Sequence, residues 1–264
     1  SEKIITKSTM LLAPGQLNIG SFTYGDWKPE GHGLINIESA LAQSADTFFY
    51  QIGGGYEGLK GLGPEGIAKY ARLFGFGGPS FIDLPEENPG LVPDPSWKLK
   101  TSGENWYLGN TYHYSIGQGD LLTTPLQILQ MTSSIANGGV IFKPYLLSKI
   151  VDDDGQVFYE GKGRAIREKF VGSDALKIVK DGMGKAAQPG GTAYPFFDFK
   201  VKVGAKTGTA EPGGEVKPHA WFTVFAPFDN PEVAVTVLVE NGGQGADIAA
   251  PVARKILEKY FEGR

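Results

Sequence analysis

One β-rich segment of the sequence ends in residues that can bind an anion, Lys206-Thr207-Gly208-Thr209. At the end of a strand the Lys206 ammonium can pair with a carboxylate, and the hydroxyls of Thr207 and Thr209 can donate hydrogen bonds to it. A ligand can approach the backbone closely at Gly208, and the backbone N–H of Thr209 can donate to an oxyanion. A Lys-Thr-Gly triplet also arises often by chance as a solvated strand end, so support is needed from elsewhere in the chain.

That support comes from a second polar cluster far upstream, Ser44-Ala45-Asp46. The two clusters together resemble the motifs of the active-site serine penicillin-recognising enzymes, which are Ser-x-x-Lys, Ser-x-Asn and Lys-Thr-Gly. The upstream cluster is similar to the second motif with Asp in place of Asn, and Lys206-Thr207-Gly208 is similar to the third. Further matches are Gly31-His32-Gly33, Ser44 to Tyr50, Ser115 to Gly119, Thr124 to Gln127, Ala136 to Gly139 and Lys206 to Glu211.

Within this superfamily the chain resembles the class B penicillin-binding proteins. Ser96-Trp97-Lys98, Trp106 and the Ser-Ala-Asp form of the second motif favour the rod-elongation branch. The resemblance implies an α+β transpeptidase fold, an antiparallel sheet flanked by helices with a helical subdomain, of which residues 1–264 are the C-terminal portion. It also implies peptidoglycan D,D-transpeptidation. In that reaction a serine attacks the D-Ala-D-Ala bond of a stem peptide, an amine from a neighbouring stem resolves the acyl-enzyme, and β-lactams trap the same serine.

The resemblance also implies a role for each matching residue. Ser44 relays a proton between the nucleophile and the leaving amine, and Asp46 hydrogen-bonds the substrate amide or the upstream lysine. Lys206, Thr207 and Thr209 hold the terminal carboxylate, Gly208 leaves room for the substrate, and the Thr209 N–H forms half of the oxyanion hole. An ionised Asp only accepts hydrogen bonds whereas Asn also donates, so Asp46 reproduces only part of what Asn would do.

The first motif is missing from the sequence. No serine among the 264 residues has a lysine three positions later, and the nearest lookalike, Ser8-Thr9-Met10-Leu11, has leucine there. By the resemblance, the nucleophile, the second oxyanion donor and two further strands of the sheet are expected upstream of this chain. We therefore expect the intact protein to be an enzyme and the isolated chain to be inactive.

Composition excludes several other functions. The formal net charge is −4 and the sequence pI is about 5.5, so no nucleic-acid partner is expected. There is no cysteine, and the three histidines, His32, His113 and His219, have no paired ligand spacing, so no metal and no cofactor are predicted. Gly117-Gln118-Gly119 lacks the strand-then-helix context of a dinucleotide loop and is predicted to be a turn.

The resemblance implies the partners and the location. The partners are peptidoglycan stem peptides, β-lactam antibiotics, the upstream Ser-x-x-Lys segment, and membrane-bound cell-wall elongation proteins including a glycosyltransferase. The location is the outer, periplasmic face of the bacterial cytoplasmic membrane. The sequence has no apolar run of roughly 18 to 20 residues that would span a bilayer, so the anchor is expected outside this chain.

Periodicity predicts the elements that must position these residues. Residues 1–34 are expected to be irregular with short strands, and Ser44 to lie within or between helices in a stretch that ends at Gly53-Gly54-Gly55. Further helices are predicted at 64–74, 124–136, 173–183 and 248–261, and a hairpin at 145–159 around an Asp-Asp-Asp-Gly turn. Residues 77–115 show no persistent period and are predicted to be a long connection. Strands at 201–210, 220–226 and 233–240, joined by short loops, indicate an antiparallel sheet.

Two alternatives to a transpeptidase remain open from the sequence. A serine β-lactamase or β-lactam sensor shares the three motifs, and rapid turnover of penicillin by the intact protein would favour it over a long-lived acyl-enzyme. A non-catalytic fragment that only binds is favoured by the missing Ser-x-x-Lys. The residues upstream of this chain would discriminate between that fragment and the enzymes.

Overall fold

A computed structural model describes residues 2–263 of the chain as a mixed structure of helices and antiparallel strands. The helices are α1 (Ile37–Gln43), α2 (Asp46–Gly54), α3 (Gly63–Leu73), α4 (Pro95–Ser102), α5 (Leu108–Ser115), α6 (Pro125–Ala136), α7 (Ser173–Ala186) and α8 (Ala250–Phe261). The strands are β1 (Leu11–Ala13), β2 (Gln16–Ile19), β3 (Phe22–Gly25), β4 (Gly33–Ile35), β5 (Ile141–Lys143), β6 (Lys149–Val151), β7 (Val157–Glu160), β8 (Arg164–Arg167), β9 (Gly204–Ala210), β10 (His219–Ala226) and β11 (Val233–Val239).

The main sheet is three-stranded and antiparallel, in the order β11-β10-β9. Side chains alternate across the central strand, as the period of two in a strand requires. Phe222 and Val224 pack with Leu257 of α8 on one face, whereas Phe225 packs with residues of α6 and α7 on the other. The three predicted strands and the α+β class are therefore confirmed, with β9 beginning at Gly204 and not at 201.

Helix α6 follows its sequence signals closely. The Thr124 side chain accepts a hydrogen bond from the N–H of Gln127, and the Gln127 side chain accepts one from the N–H of Thr124. This capping box satisfies two N–H groups that no helical carbonyl can reach, and Pro125 supplies a first-turn residue that needs no N–H partner. The predicted helix start at 124–125 and its end near Asn137 are confirmed. Helix α7 begins at the predicted Ser173, but its cap position is Gly172.

The prediction of a long connection over residues 77–115 is wrong, because α4 and α5 lie within it. Both helices have only eight residues, and α4 contributes no buried residue, so neither leaves an apolar period in the sequence. A local signal does exist at α4. The Asp94 side chain accepts a hydrogen bond from the N–H of Trp97, and Pro95 follows the cap.

The predicted hairpin is confirmed as the pair β6 and β7. A carboxylate oxygen of Asp152 accepts hydrogen bonds from the N–H groups of Asp154 and Gln156, at 3.1 and 2.6 Å, and Gly155 has a φ of 80°. The acidic run therefore forms the turn, as predicted. Residues 11–35 contain four short strands paired as β1 with β4 and β2 with β3. No helix within residues 2–263 is both long and apolar enough to cross a bilayer.

Candidate active site

Ser44 lies in a tight turn between two helices. Its φ and ψ are 53° and 48°, the left-handed region that residues with a side chain enter only in special turns. Its N–H donates to the Leu41 carbonyl at 3.4 Å, which ends α1, and Ala45 donates to the Ala40 carbonyl at 3.0 Å. Helix α2 then begins at Asp46. The Ser44-Ala45-Asp46 cluster thus lies between helices, one of the two placements predicted.

A buried carboxylate from another segment caps α2. Ala45, at the cap position, has no side-chain acceptor, and Asp26 supplies one by accepting hydrogen bonds from the N–H and hydroxyl of Thr47, at 3.1 and 3.2 Å. His32 lies 3.0 Å from the other oxygen of Asp26, and both side chains are fully buried. Since a carboxylate at a helix N-terminus also meets the positive end of the helix dipole, Asp26 fixes where α2 begins.

Trp27 holds the same turn from outside. Its indole N–H donates to the carbonyl oxygens of Gln43 and Ser44, at 3.2 and 2.9 Å. The end of α1 would otherwise leave these carbonyls without a helical partner. The segment from Asp26 to His32 therefore positions Ser44 through its backbone.

Lys206 of β9 meets Ser44 at the centre of the site. Its ammonium nitrogen donates to the Ser44 Oγ at 2.8 Å and to the carbonyl of Thr207 at 2.8 Å. Burial lowers the pKa of Lys206 to about 8, and the charge of Asp46 opposes that shift. A desolvated lysine of this kind holds a proton at neutral pH and can bind an anion or exchange the proton with a neighbour.

The pKa of Asp46 is shifted upward, whereas that of Lys206 is shifted downward. Burial, followed by the charge of Asp26, raises the pKa of Asp46 to about 6, while Lys206 and His32 lower it in part. Below about pH 6 its carboxyl group is therefore largely protonated and carries an O–H donor. In that form an Asp can donate a hydrogen bond, as the Asn of the second motif would.

The other residues of the Lys-Thr-Gly segment have separate partners. The Thr207 hydroxyl lies 2.8 Å from the Thr192 hydroxyl, and the Thr209 hydroxyl donates to Gln244 Oε1 at 3.0 Å. The backbone at Gly245 packs closely against that of Gly208. A Cβ on Gly245 would lie 2.3 Å from the Gly208 carbonyl oxygen. This close approach is a structural reason for glycine at 245, whereas a Cβ on Gly208 would lie 3.0 Å from the Cβ of Trp221.

The structure brings Ser44, Asp46 and Lys206 into one cluster and places Thr207, Gly208 and Thr209 along the adjoining strand. Sequence reasoning missed five residues that support this cluster, namely Asp26, Trp27, Gln118, Thr192 and Gln244. Gln118 lies in the Ser115 to Gly119 match to the family and in the predicted Gly117-Gln118-Gly119 turn, but no role in the site was predicted for it. The others carry no local signal, because each acts on an element distant in sequence.

The histidines do not gather into a metal-binding group. The two ring nitrogens of His32 lie 3.0 Å from Gln43 Oε1 and 3.0 Å from Asp26 Oδ1. In the part of the chain that the structure describes, no three His, Cys, Asp or Glu side chains are close enough together to hold a metal ion.

These features define a class of protein. The Lys-Thr-Gly strand at one edge of the described sheet and the Ser-x-Asp turn between two helices are similar to the third and second motifs of the serine penicillin-recognising enzymes, and the fold brings them together. Residues 1–258 match the family model of the penicillin binding protein transpeptidase domain, and the chain belongs to this family. The relatives below, named as MrdA, PBP2 and penicillin-binding protein A, confirm the predicted class B, rod-elongation branch.

Three relatives illustrate the similarity. The peptidoglycan D,D-transpeptidase MrdA of Escherichia coli strain K12 is 36% identical over 284 residues, covering 100% of this chain and 43% of the relative. A solved complex of PBP2 and MreC from Helicobacter pylori matches with a TM-score of 0.81 and 32% identity, over 98% of this chain and 46% of that one. The ceftriaxone acyl-enzyme of penicillin-binding protein A from M. tuberculosis matches with a TM-score of 0.75 and 26% identity, over 97% and 56%. The chain thus spans about half the length of the relatives it matches.

Proposed function

We propose that this chain is part of a peptidoglycan D,D-transpeptidase that cross-links stem peptides through a serine acyl-enzyme and is a target of β-lactams. The observation that carries the proposal is the 2.8 Å hydrogen bond between Lys206 Nζ and Ser44 Oγ, which joins the second and third motifs in one site. A transpeptidase is favoured over a β-lactamase or sensor because the curated relatives are named as transpeptidases.

The geometry supports a division of labour among the chain's own residues. The Ser44 Oγ accepts a hydrogen bond from the Lys206 ammonium. The hydroxyl hydrogen of Ser44 therefore remains available to donate to the leaving amine. When a substrate carboxylate arrives, Lys206 supplies the opposite charge at a partly desolvated position, and the hydroxyls of Thr207 and Thr209 add hydrogen bonds. The Thr209 N–H donates to the oxyanion that forms during acyl transfer.

The nucleophile, the location and the partners of the protein are proposed from its resemblance to the family. The nucleophilic serine and its lysine belong to a Ser-x-x-Lys segment upstream of these residues, in the same transpeptidase domain. The protein works at the outer face of the cytoplasmic membrane, anchored by a segment outside this chain. Its partners are other elongation proteins, including a glycosyltransferase. The H. pylori relative was solved in complex with MreC, which supports partners of this kind.

Covalent labelling tests the proposal. A protein that carries these 264 residues together with the Ser-x-x-Lys segment should form a stoichiometric, long-lived adduct with a fluorescent penicillin. It should also release D-alanine from a pentapeptide donor when an acceptor amine is present. Replacement of the Ser-x-x-Lys serine by alanine is the control that should abolish both signals. Rapid hydrolysis of the penicillin would instead indicate a β-lactamase, and no adduct at all would indicate a fragment that only binds.

A further inference from the structure

Gln118 occupies a turn whose purpose the proposed reaction does not explain. It lies between Gly117 and Gly119, whose φ values of 79° and 78° are left-handed and favour glycine. The Gln118 N–H donates to the carbonyl of His113 at 2.9 Å, which fixes the turn to the end of α5. The predicted turn is confirmed, and the bond to His113 fixes the backbone from which the Gln118 side chain extends.

That side chain reaches the end of β9. Its Nε2 donates to the carbonyl oxygen of Thr209 at 3.1 Å, and its Oε1 accepts from the N–H of Glu211 at 3.2 Å. A single amide thus donates to one strand residue and accepts from the residue two positions later. A neighbouring strand would offer the same two bonds. The amide of Gln118 therefore takes the place of a strand at this edge of the sheet.

The edge of β9 that Gln118 contacts carries Thr209, the proposed oxyanion donor. The N–H and C=O of one residue in an antiparallel strand point to the same side. Since the Thr209 carbonyl points to Gln118 and away from β10, the Thr209 N–H lies on the same open edge of β9. The Thr209 hydroxyl is held separately by Gln244 at 3.0 Å. The peptide units around Thr209 are therefore fixed at the carbonyl and at the side chain, while the N–H remains directed to the substrate side.

From these contacts we infer that Gln118 is a positioning residue that sets the direction of the Thr209 N–H for oxyanion stabilisation. This inference rests on the proposed function, in which Thr209 supplies half of the oxyanion hole. Gln118 acts only through the strand. It neither binds the substrate carboxylate nor takes part in proton transfer. Loss of the Gln118 amide should therefore slow the chemical step and leave noncovalent binding nearly unchanged.

Two substitutions separate positioning from general stability. Gln118→Glu removes the amide donor and places a carboxylate against the Thr209 carbonyl, and Gln118→Met keeps the length of the side chain without either hydrogen bond. Gln130→Glu is the matched control. The Gln130 amide also donates to a backbone carbonyl, that of Phe142 at 3.1 Å, but it lies on α6 and outside the site.

The experiment measures penicillin acylation by the protein that carries both this chain and the Ser-x-x-Lys segment. Stopped-flow kinetics separate the dissociation constant of the initial complex from the rate constant of acylation. Both Gln118 variants should lose about tenfold or more in the acylation rate constant, with the dissociation constant within about threefold of wild type. Amide hydrogen exchange at Glu211 should also become faster in Gln118→Met, which removes the acceptor of the Glu211 N–H, and this checks the contact without using activity.

The outcomes distinguish this inference from the proposed function. If the wild-type protein is not acylated, the proposed function fails first. If the wild type is acylated and both Gln118 variants react within about twofold of it, the positioning role is wrong. The role is also wrong if the acylation rate constant falls in the Gln118 variants only as far as in Gln130→Glu. If one Gln118 variant does not fold, the other decides, and thermal unfolding identifies which one is folded.

Discussion

Lys206 and Ser44 are 162 residues apart in sequence, and their side chains form a 2.8 Å hydrogen bond. Each partner is held by a different device. Lys206 lies in a strand paired along its length with β10, and Ser44 lies in a turn fixed by Asp26 and Trp27. Because the strand pairing of Lys206 and the turn of Ser44 are fixed independently, the contact can be weakened by changes on either side.

Replacement of Lys206 by alanine should slow β-lactam acylation of the intact protein. The substrate carboxylate loses a charge-assisted partner worth about 1.5 to 3 kcal/mol, equivalent to roughly 10- to 150-fold in rate. Lys202→Ala is the matched control, since Lys202 is an exposed lysine near the start of the same segment and pairs with Asp229 at 3.8 Å. Acylation of Lys206→Ala within about twofold of wild type would refute the assignment.

The ionisation of Asp46 should make the stability of the protein depend on pH. Burial raises the pKa of Asp46 from its ordinary 3.8 to about 6, so the folded state favours the protonated acid. Its contribution to the free energy of unfolding is therefore fully present below about pH 4 and is lost as pH rises through about 6.

Asp46→Asn removes this titration and is the variant to compare. Between pH 4 and pH 6 the variant should gain stability relative to wild type by up to about 3 kcal/mol, measured by urea unfolding at each pH. A difference between the two proteins that stays constant over this range would show that Asp46 titrates at its ordinary pKa.

Asp26→Ala should destabilise the protein and loosen the Ser44 turn. The change leaves the N–H of Thr47 without its cap and the Nε2 of the buried His32 ring without its Asp26 partner, which together should cost about 2 to 4 kcal/mol. Asp153→Ala, an exposed position in the β6–β7 turn, is the control and should cost under about 0.5 kcal/mol. Equal unfolding midpoints for the two variants in urea would argue against the capping role of Asp26.

Local sequence signals predicted much of the fold. The features that were missed depend on contacts between segments distant in sequence or lie in helices too short to show a period. Thr124 and Gln127 cap α6 within one turn, so its start is visible in the sequence. Helix α4 was missed because it buries no residue, and α5 was missed because its eight residues are too few to show a clear period although three of them are buried. At the site, the motifs identified Ser44 and Lys206, whereas the hydrogen bond from Gln118 to Thr209 spans 91 residues and has no local pattern.

Strand β11 should make a polypeptide of these 264 residues prone to self-association. Within residues 2–263 it forms one edge of the main sheet, and it is almost wholly apolar, with the sequence Val-Ala-Val-Thr-Val-Leu-Val. An apolar edge offers unpaired backbone groups to other chains. Light scattering should detect aggregates or oligomers, and a complementary fragment that adds strands should suppress them. A monodisperse monomer that melts cooperatively would contradict this expectation.

The same polypeptide should form no covalent penicillin adduct. Ser44 is the candidate for such a reaction, because Lys206, whose pKa is lowered to about 8, lies 2.8 Å from its oxygen. A base within reach is not sufficient, however. Acylation also needs a preorganised pair of oxyanion donors, and these residues supply only the Thr209 N–H by our proposal, so little transition-state stabilisation is expected.

Intact-protein mass spectrometry after incubation with a reactive penicillin tests this expectation. The 264-residue polypeptide should keep its mass, while the protein that also carries Ser-x-x-Lys should gain one penicilloyl group on that segment. Ser44→Ala in the polypeptide is the control for slow reaction at Ser44. A stoichiometric adduct that is mapped to Ser44 and lost in Ser44→Ala would show that Ser44 and Lys206 act as a nucleophile and its base, and the relay role proposed for Ser44 would then be wrong.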